Sequence, residues 1–174
     1  MSYTTLYYIT PSGRIYEAAE FRNSHLGASL VWSNVFTRYL PDRIKFIKDT
    51  MGFEPKNPVT KDDYDALWKL WERPDVPIYV RSVLFSTFDY AYLEKQYFQR
   101  FYDDVLRYAG LFAAGSLIEQ VQAIMKLDKK KILGVCWQQT SVSNNVWGKN
   151  ISTSTQVWNI YEEIDSIENV KLIE

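Results

Sequence analysis

A single histidine is the first candidate for chemistry in this chain. His25 is the only histidine among 174 residues, and Arg22, Asn23 and Ser24 directly precede it. Histidine can donate or accept a proton near neutral pH, and an arginine beside it can hold an anionic substrate at a helix N-terminus. His25 and Arg22 are therefore the candidate catalytic residues of a small enzyme acting on a nucleotide or a nucleic acid. The alternative is that His25 is an exposed polar residue in the first turn of a helix.

The second candidate is a polar segment that follows an apolar run at 132–137. Amides and hydroxyls can hydrogen-bond a sugar, a base edge or a peptide backbone without carrying charge. Tryptophan rings add flat apolar surfaces for stacking. The alternative is a strand end that runs into a loop, because these polar residues favour turns. The candidate binding residues are Trp137, Gln138, Gln139, Thr140, Ser141, Asn144, Asn145 and Trp147.

Basic residues near 126–131 form a third candidate, for contacts with phosphate. Lys126, Lys129, Lys130 and Lys131 are close in sequence. With Arg81, Lys95, Arg100 or Arg107 nearby in space, they could bind nucleic acid. The alternative is favourable placement of positive charge at a helix C-terminus.

The other reactive side chains have simpler structural interpretations. Cys136 lies inside the apolar run, and no second histidine exists to activate it, so we expect a buried thiol. Asp62, Asp63 and Asp65 do not have the spacing of a calcium loop and are typical of a first helical turn. We therefore expect neither a metal site nor a cofactor.

Composition limits the classes of function. The chain has no phosphate-cradling glycine loop, no GxSxG, no HExxH and no zinc spacing. Its net charge of −1 gives no general attraction to nucleic acid or anionic membranes. Aromatic residues make up 16% of the chain, with 13 Tyr, 9 Phe and 6 Trp. Such residues fill cores and also dominate protein interfaces, which makes a homodimer one expectation.

The compartment is predicted from cysteine content and from the absence of targeting patterns. One cysteine cannot form a disulfide within the chain, which favours a reducing environment. The first residues lack the pattern of a signal peptide, and no run approaches the ~20 apolar residues of a membrane span. We expect a cytoplasmic protein that does not bind membranes.

The elements that must position these residues suggest one α+β domain over residues 1–174. A Pro-Ser-Gly turn joins two short β-type runs near the N-terminus, and a capping residue, Thr60, starts a helix with apolar residues at Tyr64, Leu67, Trp68 and Trp71. The order of elements predicts a small antiparallel sheet covered by about six helices. Its strands would be the N-terminal hairpin, a strand near 132–141 and a C-terminal edge strand at 170–173.

One further helix is expected over 92–109. In it, Arg100 with Asp104 and Asp103 with Arg107 have the i, i+4 spacing of ion pairs on a solvated face.

These observations favour a non-enzymatic protein-binding module that uses an aromatic and amide-rich surface. It would act as an inhibitor or antagonist of a larger macromolecular machine, a class that viral and mobile-element proteins include. The enzyme built on His25 and Arg22 is the alternative.

Overall fold

A five-stranded mixed sheet carries six α-helices in a computed structural model, which describes residues 3–22, 27–43, 60–88, 90–139 and 157–171. The strands are β1 Tyr3–Ile9, β2 Ile15–Arg22, β3 Ala91–Glu94, β4 Gly134–Gln139 and β5 Trp158–Asn159. The helices are α1 Gly27–Tyr39, α2 Lys61–Trp68, α3 Ile78–Phe85, α4 Phe98–Ala109, α5 Leu117–Met125 and α6 Ile160–Lys171. Short 3₁₀ turns lie at Pro41–Arg43, Lys69–Glu72 and Lys95–Tyr97. The predicted α+β class is confirmed.

The sheet has the strand order β2-β1-β4-β3-β5. Neighbouring strands are antiparallel except β3 and β5, which are parallel. The hairpin closes because the amide of Thr10 donates to the carbonyl of Arg14 at 2.9 Å and Gly13 takes a φ of 75°. One face of the sheet is apolar, and on it Trp137 of β4 packs against Phe101 of α4 with ring centroids 5.6 Å apart.

Local sequence signals fix the start of α2. The Thr60 hydroxyl accepts from the amide of Asp63, and the Asp63 carboxylate accepts from the amide of Thr60 at 2.9 Å. This reciprocal cap satisfies two amides that the helix itself leaves unpaired. Asp63 is therefore a structural residue, as the sequence predicted for the acidic cluster.

The edge strand of the sheet differs from the prediction. Residues 170 and 171 belong to α6, residues 172–174 lie outside the described residues, and the edge strand is β5 instead. The reason is the helical spacing of Ile160, Ile164 and Ile167, of which the first two are fully buried. Burial of this face outweighs the β propensity of the residues that follow.

The helix predicted over 92–109 begins only at Phe98, because its first residues form β3. Ala91 and Leu93 are fully buried while Tyr92 and Glu94 are half-buried, which is the alternation of a strand. Leu93 also has the helical spacing of Tyr97 and Phe101, and for this reason the sequence pattern predicts a helix where the strand lies.

A buried carboxylate joins three helices. Asp104 of α4 is 7% exposed and accepts hydrogen bonds from the hydroxyls of Ser82 in α3 at 2.8 Å and Tyr161 in α6 at 2.6 Å. Arg100 pairs through two 2.7 Å hydrogen bonds with Asp165 of α6, so the predicted Arg100–Asp104 ion pair is wrong. Tertiary partners satisfy both side chains better than a solvated i, i+4 pair would.

The Asp104 carboxyl makes the stability of the fold pH-dependent. Burial raises the pKa of Asp104, and the hydrogen bonds from Tyr161 and Ser82 oppose this rise only in part. The folded state therefore binds a proton more readily than the unfolded chain, whose Asp104 has a pKa of about 3.9. The stabilising contribution of Asp104 is present in full below that pKa and is lost as pH rises through the raised folded pKa.

Urea unfolding of the wild type and of Asp104→Asn across pH 4–7 tests this sign. We expect the free energy of unfolding of the wild type to fall relative to that of the variant as pH rises. Asp103→Asn, at an exposed neighbour, should track the wild type at each pH. A wild type that gained stability over Asp104→Asn with rising pH would contradict the raised pKa.

Candidate functional site

A cleft of about 610 Å³ opens beside the β5 edge of the sheet. Eight of its eleven described lining residues are aromatic. The volume falls within the range of about 300–1,000 Å³ typical of ligand sites. The eight rings are Trp32, Tyr64, Trp68, Trp71, Phe85, Phe88, Tyr90 and Trp158.

Four of the five described ring pairs in the cleft meet edge to face. Trp32 and Trp68 have centroids 5.3 Å apart at 90°, and Trp68 and Phe88 have centroids 4.5 Å apart at 90°. Trp71 meets Phe85 at 4.8 Å and 77°. Edge-to-face pairs of this kind are favourable because a positive ring edge contacts a negative ring face. The pairs hold the rings in fixed orientations and leave apolar faces at the surface of the cleft.

A hydrogen bond between two elements fixes the central indole. Nε1 of Trp32, on α1, donates a hydrogen bond of 2.9 Å to the hydroxyl of Thr87, a residue just after α3. The same hydroxyl donates to the carbonyl of Leu84 at 2.6 Å. Both hydrogen-bonding groups of this pair are therefore satisfied inside the protein, and the Trp32 ring has one defined position.

A fully buried guanidinium fixes the 3₁₀ turn that carries Trp71. Nε of Arg81, in α3, donates to the Trp71 carbonyl at 2.6 Å, and Nη1 pairs with the Glu168 carboxylate of α6. Arg81 is 0% exposed and Glu168 is 34% exposed, so the pair spans from the interior to the surface. Arg81 therefore connects α3 and the 3₁₀ turn, both of which line the cleft, to α6, the helix that follows β5 with its lining residue Trp158.

The mouth of the cleft is polar and slightly acidic. Tyr64 is 37% exposed and Tyr90 is 42% exposed, so part of each ring is open to solvent. Glu72 is the one charged side chain among the described lining residues, and it forms no ion pair within the described part of the chain. The cleft therefore combines apolar walls with one exposed carboxylate among its described lining residues.

Sequence reasoning named several of these rings but not the cleft. The sequence predicts that Tyr64, Leu67, Trp68 and Trp71 form one apolar helical face, but α2 ends at Trp68 and Trp71 lies in the 3₁₀ turn Lys69–Glu72. Leu67 is fully buried, whereas the three aromatic residues line the open cleft. The available signal is the presence of three large rings at one helical spacing.

The predicted binding segment near β4 is only partly described. Trp137 is 2% exposed in the core, and the Gln138 side-chain oxygen accepts from the Tyr7 hydroxyl at 3.1 Å. Gln139 forms the last position of β4. The remaining members lie outside the described residues, and binding by this segment stays a prediction: Thr140, Ser141, Asn144, Asn145 and Trp147.

The predicted catalytic pair is likewise incomplete. Arg22 is the exposed last residue of β2, opposite Tyr3 of β1. His25 lies outside the described residues. Catalysis by these two residues stays a prediction.

One arginine of the predicted basic patch, Arg81, does not lie at the surface. Arg81 is wholly buried and cannot contact phosphate at the surface. Lys126, Lys129, Lys130 and Lys131 are exposed around the end of α5 and the turn before β4, which leaves nucleic-acid binding there a prediction. Of these, Lys131 pairs with Asp128 at 3.5 Å.

Two further observations concern metals and membranes. The described residues contain no group of three or more His, Cys, Asp or Glu placed to hold a metal ion. Within the same ranges, no helix has the length and apolar character needed to cross a membrane.

Comparisons with known proteins add no relative. No family model matches the chain, and no curated protein or solved structure is significantly similar to it.

Replacing Arg81 with methionine tests the clamp on Trp71. The variant keeps an unbranched side chain but removes the donor to the Trp71 carbonyl and the partner of Glu168. We expect the free energy of unfolding to fall by about 1.5–3 kcal/mol, measured by urea unfolding followed through tryptophan fluorescence. Arg107→Met, at an exposed arginine of α4, is the control and should change stability by less than about 0.5 kcal/mol. If Arg81→Met proved as stable as the control, the guanidinium would not hold the turn.

Proposed function

We propose that this protein is a non-enzymatic protein-binding module and that its binding surface is the aromatic cleft. The observation that carries the proposal is the open cleft of about 610 Å³ framed by eight aromatic residues. In an aromatic cluster that served only to fill a core, the rings would be buried against one another. Here Tyr64 and Tyr90 remain more than a third exposed at the mouth.

The energetics of a rigid aromatic cleft support binding. Tryptophan and tyrosine are enriched among the residues that dominate interface affinity. Burial of apolar surface contributes roughly 25 cal/mol per Å², and the cost of ordering side chains on binding is reduced where they are already fixed. Trp32 is fixed by its hydrogen bond to Thr87, and Trp68 by its edge-to-face contacts.

The polar groups of the cleft support binding more than catalysis. The Thr87 hydroxyl is 3% exposed and engaged with both Trp32 and Leu84. Glu72 is the one carboxylate among the described lining residues, and the other titratable groups there are the phenols of Tyr64 and Tyr90. None of the described lining residues is a cysteine, lysine or histidine, which are the commonest nucleophiles and bases besides the carboxylates. A module of this kind acts by occupying a surface of its partner, and we therefore place it among inhibitors or antagonists of a larger machine.

The cytoplasm is the proposed compartment. Cys136 is a free thiol that is fully buried, and burial raises its pKa well above the usual value. Such a thiol is kept in its unreactive protonated form. A free, unreactive cysteine is compatible with a reducing environment, which supports the proposal.

A pair of tyrosines offers a matched test. Tyr90 lines the cleft and Tyr16 lies on β2, and both are 42% exposed. A protein captured by the wild type would be identified and purified, and its Kd measured for Tyr90→Ala and for Tyr16→Ala. We expect Tyr90→Ala to weaken binding by about tenfold, a free energy near 1.4 kcal/mol, and Tyr16→Ala to leave it unchanged. Equal affinity of the two variants would remove the cleft as the binding surface.

A further inference from the structure

We infer that the cleft receives an arginine side chain of the partner protein, stacked on the aromatic rings and paired with Glu72. This inference rests on the proposed function, because it names the group that enters the proposed binding surface. Three observations carry it: the charge of the lining, the geometry of the rings, and an arrangement of the same kind elsewhere in this chain.

The charge of the lining selects a cation. Glu72 is the only charged side chain among the described lining residues, so no described lysine or arginine neutralises it within the cleft. Its sequence neighbour Arg73 is engaged with Asp75, where Nε lies 3.0 Å from Oδ1. Aromatic faces add negative potential to that of the carboxylate and attract cations. A cationic group gains from both features, while an anionic group would be repelled by both.

The ring geometry favours a flat cation. Trp32 and Trp68 stand at 90° to each other, as do Trp68 and Phe88, whereas the Phe85 and Phe88 rings are tilted by 33°. The rings that line the cleft therefore face in more than one direction. A guanidinium is planar, more weakly hydrated than an ammonium and able to stack on one face while its edge donates hydrogen bonds. A quaternary ammonium has no N–H with which to bind Glu72, and a lysine ammonium must give up a stronger hydration shell.

The chain itself holds an arginine in this way. The guanidinium carbon of Arg100 lies 4.1 Å from the centroid of the Tyr161 ring. The same guanidinium donates two hydrogen bonds of 2.7 Å to the Asp165 carboxylate. An aromatic face and a hydrogen-bonding carboxylate therefore contact one guanidinium together in this protein, with Asp104 adding negative charge nearby. The cleft offers the same two components without an arginine of its own among the described lining residues.

Blocked amino acids isolate the guanidinium from the rest of a partner. The full-length protein would be titrated with Nα-acetyl-arginine methylamide and with Nα-acetyl-citrulline methylamide, which has nearly the same shape and no charge. Binding would be followed by tryptophan fluorescence, since Trp32, Trp68, Trp71 and Trp158 line the cleft. We expect the arginine compound to bind about 5- to 30-fold more tightly than the citrulline compound.

Two acidic residues give a matched pair of variants. Glu72→Gln should reduce the preference for arginine over citrulline about two- to fivefold and leave the citrulline affinity unchanged. Glu119→Gln removes the same charge from the exposed side of α5 and should preserve the preference. Urea unfolding of both variants establishes that each keeps the stability of the wild type.

Other outcomes would overturn the inference and separate it from the proposed function. Equal affinity for the arginine and citrulline compounds would exclude guanidinium recognition and retain an apolar cleft. If Nα-acetyl-trimethyllysine methylamide bound more tightly than the arginine compound, the ligand of the cleft would be a quaternary ammonium and not arginine. If neither compound bound while Tyr90→Ala still weakened the protein partner, the arginine assignment would fail and the binding surface would stand. If Tyr90→Ala also had no effect, both would fail.

Discussion

The architecture of the cleft depends on the burial of one guanidinium. Moving a positive charge out of water costs several kcal/mol, and Arg81 recovers this through the Trp71 carbonyl and the Glu168 carboxylate. Within the described part of the chain, its Nη2 is buried and has no hydrogen-bond partner. What the guanidinium provides is geometry, because it fixes the distance between α3, the 3₁₀ turn at Lys69–Glu72 and α6. Phe85 belongs to α3 and Trp71 to the 3₁₀ turn. Trp158 belongs to β5, the strand that precedes α6.

A second polar network joins α3, α4 and α6. Asp104, with its partners in α3 and α6, and Arg100, with Asp165 and the Tyr161 ring, join the same helices on the side that α4 occupies. Buried hydrogen bonds from both Arg81 and Ser82 therefore hold α3, which carries Phe85 of the cleft, to its neighbours. A preformed cleft lowers the ordering cost of binding.

Local signals predicted the parts of the fold that depend on neighbouring residues. The turn that ends at Arg14 and the cap at Thr60 were visible because their hydrogen bonds join residues three or four positions apart. The sequence pattern predicts Arg81 in a surface basic patch, because its ion-pair partner Glu168 is 87 residues away and no local pattern reveals the pairing. The sequence pattern does not predict β3, because a strand of four residues shows too few alternations of buried and exposed side chains to outweigh the helical spacing of the residues that follow. The cleft is equally non-local, since α1, α2, α3 and β5 each supply part of it.

Hydroxyl-radical footprinting of the protein, free and bound to its partner, tests the central claim most directly. Aromatic side chains oxidise readily, and mass spectrometry locates each modified residue. If the cleft is the binding surface, Tyr64 and Tyr90 should be protected in the complex while Tyr16 is labelled as in the free protein. Protection confined to residues 138–147, with labelling of the cleft unchanged, would contradict the account and favour the polar segment after β4.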